Sequence, residues 1–313
     1  MLANLAKINV LIVTYKHQDV IGRTIESVIA QKSFGLNKII ICDDCSPDNN
    51  WEIISSYVDK YPEIIIAYHN ETNLGIYGNS DKLVTLRGDA DLFCWLEGDD
   101  ALCEGFFENI QNTIQSRRID ITRKVGICCD WKIVFPTGKE MICSNYAAEE
   151  ASLSPISMYF RELVTWRGSV FSSSVLNEFQ PTRLDMGLNL AETLFDSQFF
   201  SKSDALYYSE CMGTIYYAQV GISTSLGSGS AYMNEETVIK ARYFIENYPL
   251  TRRDKFWWKY ILYRTKNRME PSLLHFSKAF LNYLIGVYRG KGCRKNRLRK
   301  YIIPLFKGLL KIN

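Results

Sequence analysis

Histidine is nearly missing from this chain: His17, His69 and His275 are all there is in 313 residues. Nine cysteines occur, an odd number at irregular spacing, and the C-x-x-C formed by Cys42 and Cys45 is followed by no second pair. A zinc site or a thioredoxin-like centre therefore has no ligand set to draw on. Cys42, Cys94, Cys128 and Cys129 sit inside apolar runs and read as small buried hydrophobes in a reducing compartment. No uninterrupted apolar window reaches the length of about 18 residues that a spanning helix needs. The nearest, Leu273 to Tyr288, is broken by His275, Lys278 and Asn282. Met1 to Lys7 contains no basic segment leading into an apolar run and no small-residue cleavage site, so the expectation is a cytoplasmic protein. Neither G-x-x-x-x-G-K-[ST] nor G-x-G-x-x-G is present, which removes the P-loop and the dinucleotide fingerprint.

What is present is the composition of an ordinary globular protein, 47% hydrophobic and 23% charged, long enough for one large α/β domain with an appendage or for two modest domains. The net charge of +3 conceals two unlike parts. Residues 252–313 hold 17 basic and 2 acidic side chains, a net of +15, whereas residues 1–251 hold 20 basic and 32 acidic, a net of −12. The two parts are expected to meet different partners.

The first hundred residues alternate between strand and helix patterns. Ile8 to Thr14 is a β-branched run suited to a strand buried on both faces, and Val20 to Gln31 places Ile21, Ile25, Val28 and Ile29 on one helical stripe. Lys38 to Cys42 is a second buried strand ending in Asp43 and Asp44, Asp48 to Tyr61 the next helix, and Ile64 to His69 a third strand. A loop rich in Asn and Gly, Asn70 to Gly78, precedes a helix over Ser80 to Arg87 and a fourth strand over Leu92 to Leu96. Such alternation predicts parallel, right-handed βαβ units, with ligands bound beyond the carboxyl ends of the strands.

Those ends carry the chemistry. Leu92 to Leu96 runs into Glu97, Gly98, Asp99 and Asp100. Carboxylates crowded at the end of a buried strand repel one another and lose hydration, and a cation or a bound hydroxyl compensates them; hard oxygen ligands suit magnesium, manganese or calcium. The competing reading is that Asp99 and Asp100 cap a helix beginning near Glu104. Thr14 and Tyr15 end the first strand and Asp43 and Asp44 the second, offering a phenol that can stack on a base and acceptors for ring N–H or ribose hydroxyls. Each of these is also an ordinary loop or turn residue.

The run Ile8-Asn-Val-Leu-Ile-Val-Thr-Tyr15, the segment Ile39-Ile-Ile-Cys-Asp-Asp-Cys-Ser-Pro-Asp48, Asn73-Leu-Gly75 and Leu96-Glu-Gly-Asp-Asp100 together resemble, in order, the signatures of the family 2 glycosyltransferases. The likeness extends over about residues 6–225. It implies an α/β, GT-A-like (Rossmann-like), mostly parallel sheet flanked by helices, and inverting transfer from a nucleotide-sugar. Thr14, Tyr15, Asp43, Asp44, Asn73, Gly75, Glu97 and Asp99 would then face the donor, with a UDP-sugar favoured and Asp44 near the uracil edge. Glu97 and Asp99 would be the outer members of a D-x-D motif, Asp99 binding Mn²⁺ or Mg²⁺. Three positions depart from the pattern: Lys16 stands where an Asn follows the tyrosine, Glu97 replaces the first aspartate, and the Arg after the Asn-x-Gly loop is replaced around Gly78, leaving Lys82 as a weak substitute.

In the second half, Val125 to Val134 and Lys139 to Cys143 read as strands around a turn at Pro136-Thr137-Gly138. Thr165 to Ser174 resembles a strand beside the family's acceptor cleft, where Trp166 would stack on a sugar or pack structurally and Arg167 would meet an anion. Glu192 and Asp196 share a face of a helix expected over Ala191 to Ser201. The resemblance puts the catalytic base at Asp196, or at Glu192 in a shifted register. Tyr216 to Ser223 and Gly227 to Ser230 have the composition of a mobile lid.

The division expected is a catalytic domain over residues 1–230 and a basic, aromatic helical extension over 231–313, including a helix over Glu235 to Tyr248. The extension suits an anionic membrane surface, or packs on the catalytic domain through Trp257 and Trp258. Nucleic acid does not fit the acidic catalytic part. The expected acceptor is a saccharide or a lipid-linked saccharide in surface polysaccharide biosynthesis, at the inner face of the cell membrane. Two other readings stay open: a non-catalytic relative that binds nucleotide-sugar or saccharide, and a nucleotidyltransferase, for which no basic triphosphate loop is found.

Overall fold

The computed structural model describes residues 5–145, 166–179, 198–199, 202–218, 231–247 and 252–288. The chain divides into two compact units, Met1–Gln219 and Val220–Asn313.

The first unit is built on a nine-stranded sheet of order β3-β2-β1-β4-β8-β6-β9-β5, with β7 paired to β6. The strands are β1 (Ile8–Thr14), β2 (Leu36–Asp43), β3 (Ile65–His69), β4 (Leu92–Glu97), β5 (Ala101–Leu102), β6 (Val125–Val134), β7 (Glu140–Cys143), β8 (Ser169–Ser172) and β9 (Ala205–Tyr217). β1, β2, β3 and β4 are parallel, with β1 between β2 and β4. Every residue of β1 is buried, as its β-branched run requires.

Alternate residues of these strands enter different cores. Ile8, Val10 and Ile12 join Ile39, Ile41, Cys94 and Leu96 beneath α1 (Ile21–Ile29), α2 (Asn50–Lys60) and α4 (Phe106–Arg117). Leu11 and Val13 join Ile40, Cys42, Phe93 and Trp95 beneath α3 (Gly75–Thr85) and the short α5 (Ser173–Leu176). The period of two along a strand thus produces a sheet covered on both faces.

Boundaries differ from the sequence reading in a few places. α3 begins at Gly75 rather than Ser80, because Gly75 takes φ +73° and the preceding N–H, of Leu74, is satisfied by Asp44. The segment read as one strand over Thr165 to Ser174 contributes β8 only over Ser169–Ser172, followed at once by α5. Asp99 and Asp100 do not cap a helix: α4 starts at Phe106 with Gly105 as N-cap and no side-chain cap bond.

The second unit contains α6 (Ala231–Asn247), α7 (Arg252–Met269) and α8 (Leu273–Tyr288). Phe244 of α6 stacks on Trp258 of α7 at 4.5 Å and 13° between planes, and both rings are fully buried. Trp257 is buried as well. Leu273, Leu274 and Leu281 of α8 are exposed. Among the described residues no helix is long and apolar enough to cross a membrane.

Candidate active site at the carboxyl ends of the parallel strands

β1, β2 and β4 end side by side: Thr14 pairs with Asp43 on one flank, and Val13 with Glu97 on the other. The turn leaving β4 brings ligand atoms of Glu97, Asp99 and Asp100 within 4.8 Å of one another, the one group of three or more such side chains found among the described residues.

Helix α1 fixes this turn. Thr24 is fully buried, and its hydroxyl lies 2.9 Å from the Gly98 carbonyl and 2.6 Å from that of Asp100. The neighbouring Arg23 donates from Nη2 to the Asp99 carbonyl at 2.7 Å, and its guanidinium lies 3.6 Å from the centre of the Tyr217 ring. Ser27 accepts from the Leu102 amide at 3.0 Å, and Gln31 donates to the Cys103 carbonyl at 3.0 Å. With three successive carbonyls held by one helix, the turn has a single backbone course. Gly98 is obligatory in it, since a Cβ there would stand 2.5 Å from Thr14 Oγ1 and 2.7 Å from His17 Nδ1.

The three carboxylates have unequal surroundings. Glu97 accepts from Arg167 Nη2 at 2.8 Å. Asp100 has no exposed side-chain surface, and neither of its oxygens has a hydrogen-bond partner of good geometry; Arg167 Nε approaches to 3.6 Å. Burial pushes its carboxyl well above the usual range, and the charges of Glu97 and Asp99 push it further. Arg167 and the Tyr217 amide pull the other way. Asp99 is 31% exposed. A cluster holding one buried carboxylate and one accessible carboxylate on a single turn fits a hard divalent cation.

Arg167, named from sequence as an anion contact, meets its anions within the protein. Its guanidinium lies 4.6 Å from the Trp166 ring centre and 4.9 Å from that of Tyr216. Trp166 itself is 2% exposed and belongs to the second apolar core, which settles its sugar-or-packing alternative for packing. Gly168, at φ +68°, lets the strand turn against Asp130, whose carbonyl would lie 2.9 Å from an added Cβ.

Beyond the ends of β1 and β2 lies a hydrogen-bonded floor. Asp43 is fully buried and accepts from Ser46 N and Oγ, Asn50 Nδ2 and His69 Nδ1, so protein donors engage both of its oxygens. Asp44 Oδ1 accepts from Asn70 Nδ2 and from the Leu74 amide, each at 2.8 Å. Asn73 donates to the Asp44 carbonyl at 3.0 Å and accepts from the Gly75 amide at 3.1 Å. Thr14 Oγ1 accepts from Asn50 Nδ2 at 3.1 Å, while Tyr15 is 38% exposed at the rim. Lys82 donates to Asn70 at 2.7 Å and so belongs to the same network. Asp196 and Glu192 lie outside the described residues, as do most of the candidate lid and the chain beyond residue 288.

Comparison with known proteins agrees with this architecture. The Glycosyl transferase family 2 model matches residues 9–148, a segment that holds Thr14, Tyr15, Asp43, Asp44, Asn73, Gly75, Glu97 and Asp99. A processive diacylglycerol beta-glycosyltransferase of Mycoplasma pneumoniae is 30% identical over 116 residues, covering 36% of this chain and 33% of that protein. An abequosyltransferase of Salmonella typhimurium is 32% identical over 113 residues, covering 35% and 33%. The match therefore spans about a third of the length of these relatives. Among solved structures, S. aureus TarS residues 1–349 with UDP-GlcNAc superposes with a TM-score of 0.58 at 16% identity, covering 97% of this chain and 81% of that one. GalNAc-T7 with UDP, GalNAc and Mn²⁺ gives 0.54 at 12% identity, covering 96% and 57%. The fold is that of the GT-A glycosyltransferases.

Sequence reading found the carboxylates and missed what holds them. The signal was available: Thr24, Ser27 and Gln31 form a polar stripe at helical spacing, adjacent to the apolar stripe that announced α1. His17 was likewise passed over as part of a loop.

Proposed function

We propose that this protein is a glycosyltransferase that moves a sugar from a nucleotide-sugar, a UDP-sugar by preference, to a saccharide or lipid-linked saccharide acceptor, with inversion and with a divalent cation. The observation that carries the reading is the turn after β4, where α1 holds the backbone and an acidic triad gathers beside the ends of β1 and β2. A neighbour of the same fold has been solved with UDP-GlcNAc and another with UDP and Mn²⁺, which supports the donor class and the ion.

In this reading the exposed ring of Tyr15 stacks on the base, and the Asp44 carboxylate, already oriented by Asn70 and Leu74, accepts from its edge. Asn73 and Gly75 shape the loop that presents the Leu74 amide, and Asp43 keeps the floor rigid through its four donors. A bound Mn²⁺ or Mg²⁺ supplies neutralisation of the departing diphosphate. Asp99 is the accessible carboxylate that would hold it, with Glu97 turned toward Arg167. We assign removal of the acceptor hydroxyl proton to Asp196, with Glu192 as the alternative four positions earlier.

The extension over 231–313 fits a peripheral position on an anionic membrane. The exposed Leu273, Leu274 and Leu281 of α8 beside Lys278 supply an apolar face edged by positive charge. The diacylglycerol named in the Mycoplasma relative is an acceptor of the kind such a position would serve.

Thermal-shift measurement against UDP-, GDP-, dTDP- and CMP-sugars, each with and without Mn²⁺, tests the donor. One nucleotide should raise the melting temperature in a metal-dependent way, and Asp99→Ala should remove the effect. No shift with any donor at millimolar concentration, in a protein folded by circular dichroism, would reject the reading.

A further inference from the structure

His17 has no part in the resemblance that guided the sequence reading, yet its ring lies against the acidic turn. Its Nε2 is 3.9 Å from Asp99 Oδ2, and its Nδ1 is 3.2 Å from Thr14 Oγ1. Its own carbonyl accepts from the amides of Val20 and Ile21, each at 2.9 Å, so the residue is tied to the start of α1. The missing side chain at Gly98 makes room for the ring, since a Cβ there would meet Nδ1 at 2.7 Å. The imidazole is thus held at one nitrogen and along its backbone, with the other nitrogen directed at the accessible carboxylate, and it remains 26% exposed.

A metal-binding histidine has this arrangement: one ring nitrogen is fixed by a hydrogen bond, which sets the tautomer, and the other faces the ion. The Thr14 hydroxyl can accept from Nδ1–H, leaving the Nε2 lone pair free. The separation also suits a shared ion. Two ligands each about 2.1 Å from one cation lie no more than about 4.2 Å apart, and the 3.9 Å between Nε2 and Oδ2 falls within that limit before any adjustment of Asp99. On the opposite side, Arg167 engages Glu97 at 2.8 Å, which turns that carboxylate away from the role of principal ligand. Asp100 is fully buried behind these groups with Arg167 Nε 3.6 Å away, which leaves Asp99 as the accessible carboxylate on the His17 side.

We propose that His17 is a nitrogen ligand, together with Asp99, for the divalent cation of this site. The inference rests on the metal-dependent reading above and adds to it a selectivity. An imidazole in the set adds more to the binding of a transition-metal ion such as Mn²⁺ than to that of Mg²⁺ or Ca²⁺, whose ligands are oxygen. The ion is then gripped between the loop after β1 and the turn after β4, joining the nucleoside side of the site to its acidic side.

The test uses the full chain with Mn²⁺ and UDP, observed by electron spin echo envelope modulation. Unmutated protein should show the ¹⁴N modulation of a coordinated imidazole, so the primary result needs no variant to fold. In His17→Ala the nitrogen signal should vanish and Mn²⁺ affinity should fall about tenfold or more, while Mg²⁺ affinity changes by less than about threefold. Mn²⁺ bound without nitrogen modulation, or a signal that persists in His17→Ala, overturns the inference. If Asp99→Ala abolishes Mn²⁺ binding in that case, the glycosyltransferase reading stands without it. No Mn²⁺ binding by the unmutated protein overturns both.

Discussion

Replacing Thr24 by valine would separate the turn's clamp from its surroundings with little change of shape. The substitution exchanges a hydroxyl for a methyl group in a fully buried position, where the hydroxyl serves the carbonyls of Gly98 at 2.9 Å and Asp100 at 2.6 Å. One hydrogen cannot satisfy two acceptors fully, so the loss amounts to one good bond and part of another. A buried acceptor left without its donor costs about 1–3 kcal/mol, giving about 2–3 kcal/mol for the pair. For a unit of this size that corresponds to a drop in melting temperature of about 4–12 °C. Thr24→Ser is the control: it restores the hydroxyl and removes one methyl group, worth about 0.8 kcal/mol. Thermal unfolding followed by circular dichroism should rank the proteins wild type, Ser, Val in falling stability. Mn²⁺ affinity should follow the same order, because the carbonyl clamp fixes where Asp99 starts. If valine proved as stable as serine, the argument that these carbonyls depend on Thr24 would fail.

Three further substitutions probe other links. The Asp100 carboxyl is held protonated to a higher pH in the fold than in the unfolded chain, so its contribution is complete below the unfolded value of about 3.8 and is lost as pH rises through the folded value. Asp100→Asn should gain in stability relative to wild type as pH increases above that point, as read from denaturation midpoints across a pH series; a difference independent of pH would refute the assignment. Trp166→Ala should cost about 3–5 kcal/mol, as removal of a buried aromatic does, and a stable variant with a selective loss of acceptor affinity would restore the sugar-stacking role. Gly98→Ala should lose about 1–3 kcal/mol by overpacking against Thr14 and His17, and full stability in urea unfolding would show that the turn has slack.

The order of strands and helices in the first hundred residues was legible because parallel strands buried on both faces leave unbroken β-branched runs. β9 was not. Its register against β6 shifts twice around Asp130, so the thirteen residues of Ala205–Tyr217 never settle into the alternation that marks a strand. β5, two residues long, has no pattern to detect. At the site, charge made Glu97, Asp99 and Asp100 conspicuous, and their crowding implied a counter-cation. That Arg167 is a resident cation for Glu97 and Asp100 could not be read, because seventy positions separate Arg167 from Glu97 and only the sheet order β4-β8 brings them together. Asp43 and Asp44 looked equivalent in sequence, and the pleat distinguishes them: the first carboxylate is enclosed by four donors, while the second reaches the loop before α3.

The place of β5 in the sheet has a consequence for the order of assembly. Among the described residues β5 pairs only with β9, Ala101 opposite Ile215 and Leu102 opposite Thr214, and the Cys103 amide donates to the Gly213 carbonyl. On a ribosome, the acidic turn is therefore made early and anchored late. A nascent chain that has reached β4 can form the α1 clamp, but it carries three crowded carboxylates with neither Arg167 nor the Tyr217 amide to meet them. The first unit can close its charged edge only when β9 emerges, so the surroundings of the acidic turn report on completed synthesis of β9 rather than on the folding of the turn itself.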